Sequence, residues 1–138
     1  MKELEQLNHT IIEFYEKLSS WEQSVVRGKG VSLPQVHVVE ILGVHGAMRM
    51  KELADKIGVT TGTLTVQVDK MVNAGLIQLR PHESDRRSIL VELTAKGGGM
   101  YKEHDNLHLT LTQDITAKLD DAERRNLLSY LIKINQEF

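Results

Sequence analysis

Apolar residues recur at Leu4, Leu7, Ile11, Phe14, Leu18, Trp21 and Val25, spaced by three and four. That spacing predicts one long helix from Leu4 through Val26 with a single apolar face. Gly28 and Gly30 end it. Ser32 can cap a second helix that tolerates Pro34 in its first turn, and Val36, Val39, Leu42 and Gly43 carry its inner face to a break near Gly46. A short third helix, Lys51 to Ile57, turns Leu53, Ala54 and Ile57 inward and stops at Gly58. After a tight turn at Val59, Thr60 caps a fourth helix with Leu64, Val68, Met71 and Val72 inward and Gly75 at its end.

The pattern then changes to alternation. Ile77 to Arg80 and Ser88 to Leu93 read as strands, the second alternating as Ile89, Val91 and Leu93, with the polar tip Pro81-His82-Glu83-Ser84-Asp85-Arg86-Arg87 between them. Thr94 opens a fifth helix, weakened at its start by Gly97, Gly98 and Gly99, with Met100, Leu107, Leu111, Ile115 and Leu119 as its stripe. A last amphipathic segment carries Leu127, Leu128, Leu131, Ile132 and Ile134. The expected fold is mainly α with a small β-hairpin wing. It divides into a winged helix-turn-helix over 33–93 and helical segments, 2–28 and 94–137, suited to dimerisation.

The chain has 138 residues, 41% of them hydrophobic, enough for one core and too few for two independent domains. It shows no run of about 18 apolar residues and no signal-peptide order in its first thirty, so the expected location is cytoplasmic. Cysteine is absent, which excludes disulfides, thiolate catalysis and Cys-containing zinc ribbons. Any metal must be held by His and carboxylates. The formal charge of −2 suits a nucleic-acid binder poorly, but its distribution matters more. Between Arg49 and Arg87 seven Lys/Arg face five Asp/Glu, whereas the remainder holds ten against fourteen. The middle is basic and the ends are acidic.

A helix, a glycine turn and a second helix with a polar N-terminal half can present side chains to the major groove while the first helix braces the backbone. The exposed residues would be Thr60, Thr61, Thr63, Thr65, Gln67 and Lys70. Threonine methyls can meet thymine methyls, Gln67 can bond adenine bidentately, and Lys70 suits a phosphate. The wing adds Arg86 and Arg87 for the adjacent minor groove, with Asp85 to hold the guanidinium.

With these residues in place the chain resembles the MarR family. The matching text is the Leu33-Pro34 start of the second helix, then KELADKIGVTTGTLTVQVDKMVNAGLIQLRPHESDRRSILVELTAKG from Lys51 to Gly97. Gly75-Leu76-Ile77, Asp85-Arg86-Arg87 and Leu93-Thr94 sit at the family's spacing. The resemblance implies a DNA-binding regulator, usually a repressor. It also implies a homodimer built from the first and last two helices, with recognition helices entering successive major grooves of an inverted repeat in double-stranded DNA.

The histidines carry the remaining chemistry. His104 and His108 lie four apart on one helix face, where two imidazoles can grip a single ion or be satisfied separately by carbonyls and water. His37 shares a face of the second helix with Ile41 and Val44, and Glu22 beside Trp21 could supply an oxygen. The sequence is similar to the MarR branch that represses zinc-uptake genes. On that similarity Glu22, His37, His104 and His108 match the main ligand set for Zn²⁺, with metal as corepressor. Glu16 and Glu40 remain alternative oxygens. That branch's second site uses a cysteine, which this chain lacks, although Glu103 remains. The commoner family arrangement is the alternative: a small organic anion, in a pocket lined by Trp21, Met100 and the histidines, releases DNA.

The expected role for zinc is to fix the angle between dimer helices and reading domain across a flexible Gly97-Gly98-Gly99 joint. An enzyme is not expected. His104-Asp105-Asn106-Leu107-His108 approaches the H-E-x-x-H of zinc proteases, but Asp105 replaces the glutamate base. A winged-helix module acting only on proteins is a third class. His9, His45 and His82 are assigned to solvent or a dimer partner, to a helix C-terminus, and to phosphate contact at the wing.

Overall fold

A computed structural model describes residues 2–82, 84 and 88–138. Helix α1 is Lys2–Val26, α2 is Leu33–His45, strand β1 is Met48–Arg49, α3 is Met50–Ile57 and α4 is Thr61–Asn73. Strands β2 (Ile77–Pro81) and β3 (Ile89–Leu93) follow, then α5 (Ala95–Ile115) and α6 (Asp121–Asn135). The chain forms two units, Met1–Tyr101 and Lys102–Phe138, and α5 runs unbroken from one into the other.

Local chemistry explains the helix boundaries. The Ser32 hydroxyl accepts from Gln35 N while Gln35 Oε1 accepts from Ser32 N, a capping box that opens α2 with Pro34 in its first turn. Gly58 ends α3 in the left-handed region, at φ 82°, with its N–H bonded to Ala54 O. Two residues later the Thr60 hydroxyl accepts from Thr63 N and opens α4. Asp120 and Glu123 build a second capping box at the start of α6.

The core lies in the first unit. Val38, Val39 and Leu42 of α2, Met48 of β1, and Leu53 and Ala54 of α3 enclose it with Leu64, Val68 and Met71 of α4 and with Leu76, Ile77 and Val91. Every inward position expected for α3 and α4 is buried or half-buried. The wing is a three-stranded antiparallel sheet in the order β1-β3-β2, pairing Met48 with Val91, and Ile77, Leu79 and Pro81 with Leu93, Val91 and Ile89. Sequence reasoning found the hairpin and missed β1, because two residues show no alternation to detect.

One expectation changes. The glycine run does not interrupt the helix: α5 is helical from Ala95, with Gly97 N bonded to the Thr94 hydroxyl and Gly98 N to Thr94 O. Gly97 is there for close approach, since a Cβ on it would lie 2.1 Å from Leu76 O. The start of α5 is also tied to the end of α4, by Thr94 Oγ1 donating to Gly75 O and Lys96 Nζ to Ala74 O. The N-terminal part of the α1 stripe is not covered by the chain itself: Leu4, Leu7, Ile11 and Phe14 are 53–62% exposed, while Leu18, Trp21 and Val25 are half-buried. Ile115 on α5 is exposed too, as are Leu128, Leu131, Ile132 and Ile134 on α6.

The glycines give a paired test. Gly97→Ala should destabilise the protein by about 1–3 kcal/mol through overlap with Leu76 O. Gly98→Ala, with open space at its Cβ, should stabilise by up to about 1 kcal/mol through helix propensity. Urea unfolding of both variants checks this, and equal effects would contradict the close-approach role of Gly97.

Candidate nucleic-acid interface and metal-ligating groups

Helix α4 buries one side and bares the other. Leu64, Val68 and Met71 are at most 1% exposed, while Thr60, Thr61, Thr63, Thr65 and Lys70 are exposed and Gln67 is half-buried. Thr60, Thr63, Gln67 and Lys70 follow one another at intervals of three, four and three, so they form a single row along the helix.

Their hydroxyls are partly committed. Thr60 Oγ1 accepts from Thr63 N and donates to Thr63 Oγ1 at 3.0 Å, and Thr65 Oγ1 donates back to Thr61 O at 2.7 Å. Each threonine also carries a methyl of the kind that suits thymine methyl contact. Val66, 54% exposed on the same helix, is an apolar side chain beside this row that sequence reasoning missed. Its signal was an apolar residue off the inward row. Gln67 Oε1 accepts from Gln35 Nε2 of α2 at 3.2 Å, so the carbonyl that adenine readout would use is already engaged.

At the wing, Glu92 joins both strands. Its Oε2 accepts from Arg80 Nε at 2.8 Å and its Oε1 from Gln78 Nε2 at 2.7 Å. These bonds, that from Arg80 first, hold its carboxyl below the ordinary glutamate value. His82 Nδ1 accepts from the backbone N–H of Ser84 at 3.1 Å, which leaves the proton of the neutral ring on Nε2. The expected wing residues Asp85, Arg86 and Arg87 lie outside the described residues.

The four expected metal ligands fall two in each unit. In the first, His37 Nε2 and Glu22 Oε2 are 3.4 Å apart, and a carboxylate oxygen of Glu40 lies within 4.8 Å of one of Glu22. His37 is half-exposed rather than inward, and Glu16 is exposed. In the second, His104 is 3% exposed, and the Nε2 atoms of His104 and His108 approach to 3.1 Å. Two Zn–N bonds of about 2.0–2.1 Å at the tetrahedral angle would set this separation at roughly 3.3–3.4 Å, so the imidazole pair fits a shared ion with little adjustment. His9 and His45 are exposed, and His45 lies in the last turn of α2.

A bare polar row on the second helix of such a pair, followed by a sheet wing, defines a winged helix-turn-helix protein. A sequence model of the MarR family matches residues 31–89. The chain is 25% identical over 123 residues to the HTH-type transcriptional regulator BilQ of Clostridium symbiosum, covering 89% of this chain and 85% of that one. Matches to several other curated regulators span 54–62% of those proteins' length. Two solved structures share the fold. A MarR family protein from Bacillus stearothermophilus superposes with a TM-score of 0.90 at 20% identity, over 99% of this chain and 95% of that one. Streptococcus pneumoniae FabT in complex with DNA superposes with a TM-score of 0.85 at 21% identity, over 96% of this chain and 95% of that one. The chain is thus similar to the MarR family over its helix-turn-helix and shares the fold of MarR family structures, and the curated relatives it matches are transcriptional regulators. No helix among the described residues is long and apolar enough to cross a membrane.

The wing pair predicts a pH signature. A lowered carboxyl pKa stabilises the fold above the unfolded value, and the contribution is lost as pH falls through the folded value. Glu92→Gln should therefore cost a small amount at neutral pH, about 0–1 kcal/mol for a half-exposed pair. The difference from wild type should vanish in acid below the ordinary 4.5. Urea unfolding across pH measures it, and a difference independent of pH would contradict the assignment.

Proposed function

We propose that this protein is a repressor that binds an inverted repeat as a homodimer, with Zn²⁺ as corepressor. The observation that carries the reading is the α4 face, where a row of polar side chains stands outside a helix whose opposite side is locked into the core. The bare apolar faces of α1 and α6 support the dimer. Exposed apolar stripes of this length on single chains mark association surfaces, and self-complementary twofold contacts are the commonest way to cover them. A twofold dimer then offers two α4 helices to two half-sites about one helical turn apart.

Zinc is supported by donor chemistry. The His104–His108 pair brings two imidazole nitrogens close together, and Glu22 and His37 do the same with an oxygen and a nitrogen. The two pairs together supply three nitrogens and one oxygen, the donor types common for the ion, and Glu40 is a further oxygen near Glu22. Binding there favours the DNA-competent arrangement only to the extent that the ion prefers it over the alternatives.

Fluorescence anisotropy of chelator-stripped protein on an inverted-repeat DNA from upstream of its own gene, with and without micromolar Zn²⁺, tests the proposal. Zinc should tighten binding by about tenfold or more, equivalent to about 1.4 kcal/mol of coupling. His104→Ala should retain the metal-free affinity and lose the response. A full zinc response in that variant removes the metal reading; equal affinity with and without metal transfers the effector role to a small organic anion.

A further inference from the structure

We propose that Gln35 is a positioning residue that fixes which end of the Gln67 amide faces DNA. Gln67 then offers N–H donors to an acceptor-rich base edge, guanine O6 and N7 above all. The inference rests on α4 being the reading helix.

The polarity can be traced from an atom of known role. Amide oxygen and nitrogen are told apart by their partners, and a backbone N–H can only donate. Ser32 N lies 3.1 Å from one end of the Gln35 amide, so that end is the oxygen. The other end is therefore NH₂, and it faces Gln67 at 3.2 Å, which makes the facing atom the Gln67 oxygen. The Gln67 nitrogen is left as the end directed away from α2. A capping box at the start of α2 thus dictates the polarity of a side chain 32 residues later, midway along the row formed by Thr60, Thr63, Gln67 and Lys70.

A freely turning glutamine reads adenine with both ends of its amide, donating to N7 and accepting from N6. With its oxygen engaged at α2, Gln67 contributes donors. The base edges that accept without donating are guanine, through O6 and N7, and thymine, through O4.

Gln35→Glu reverses the device while preserving the fold. A glutamate keeps an oxygen for Ser32 N and so keeps the capping box. Its second oxygen cannot donate to Gln67, so the Gln67 amide turns over and shows its oxygen outward, toward cytosine N4 or adenine N6. The experiment selects preferred sites from a randomised inverted-repeat duplex pool with wild type, Gln35→Glu and Gln67→Ala, then measures affinities on duplexes differing at the affected base pair.

Wild type should prefer guanine at that pair by about tenfold. Gln67→Ala should flatten the preference, and Gln35→Glu should move it to cytosine or adenine. Should Gln35→Glu fail to fold, Gln35→Ala serves, since a released amide can read adenine with both ends and so shifts the preference from guanine toward adenine. An unchanged base preference in the Gln35 variant, or a preference that survives Gln67→Ala, overturns the proposal. A wild-type protein that enriches no sequence overturns the DNA-reading role of α4 itself, which is a distinct failure.

Discussion

Three side chains on α4, Leu64, Val68 and Met71, are almost completely withdrawn from water, and the placement of every polar group on that helix follows from where they must go. Removing any of them would cost about 2–5 kcal/mol in a core packed this closely, so rotation of α4 about its axis is not a cheap adjustment. The opposite row is held outward as a consequence. Gly58 sets the approach from α3, Gly75 the departure into the wing, and the close packing of Gly97 on Leu76 O ties the start of α5 to the same region. The outward row of α4 is set by the core on its reverse side.

That arrangement leaves the rest of the chain with a different task. α1 and α6 carry apolar stripes as regular as those of α3 and α4 but largely uncovered within the single chain. The candidate metal ligands are carried by α1, α2 and α5 rather than by the wing or α4. The proposed reading and effector chemistry would therefore occupy different residues.

Much of this was legible in the sequence because the deciding signals are local. Ser32, Thr60, Gly58 and Gly75 declare helix ends through capping and positive φ, and the inward rows of α3 and α4 follow helical spacing. What escaped is non-local. β1 exists only because Met48 and Arg49 pair with Val91 and Leu90 far along the chain. The glycines at the start of α5 look like a hinge until the Leu76 carbonyl is seen against Gly97. A period of 3.6 marks a stripe as apolar without saying what covers it, which is why the α1 stripe reads the same whether it meets its own chain or another. The engagement of Gln67 by Gln35 has no local signature, and bidentate adenine readout was the natural assignment for an exposed glutamine.

The most direct test of the account is a hydroxyl-radical footprint of the full chain on its inverted-repeat DNA. Two rigid α4 helices related by a twofold axis should protect two stretches of backbone whose centres lie about 10 base pairs apart, symmetric about the repeat. Thr63→Ala together with Lys70→Ala should weaken both stretches equally. Protection of a single stretch, or protection insensitive to those α4 substitutions, would contradict the claim that the buried and bare faces of α4 make this chain a dimeric reader of DNA.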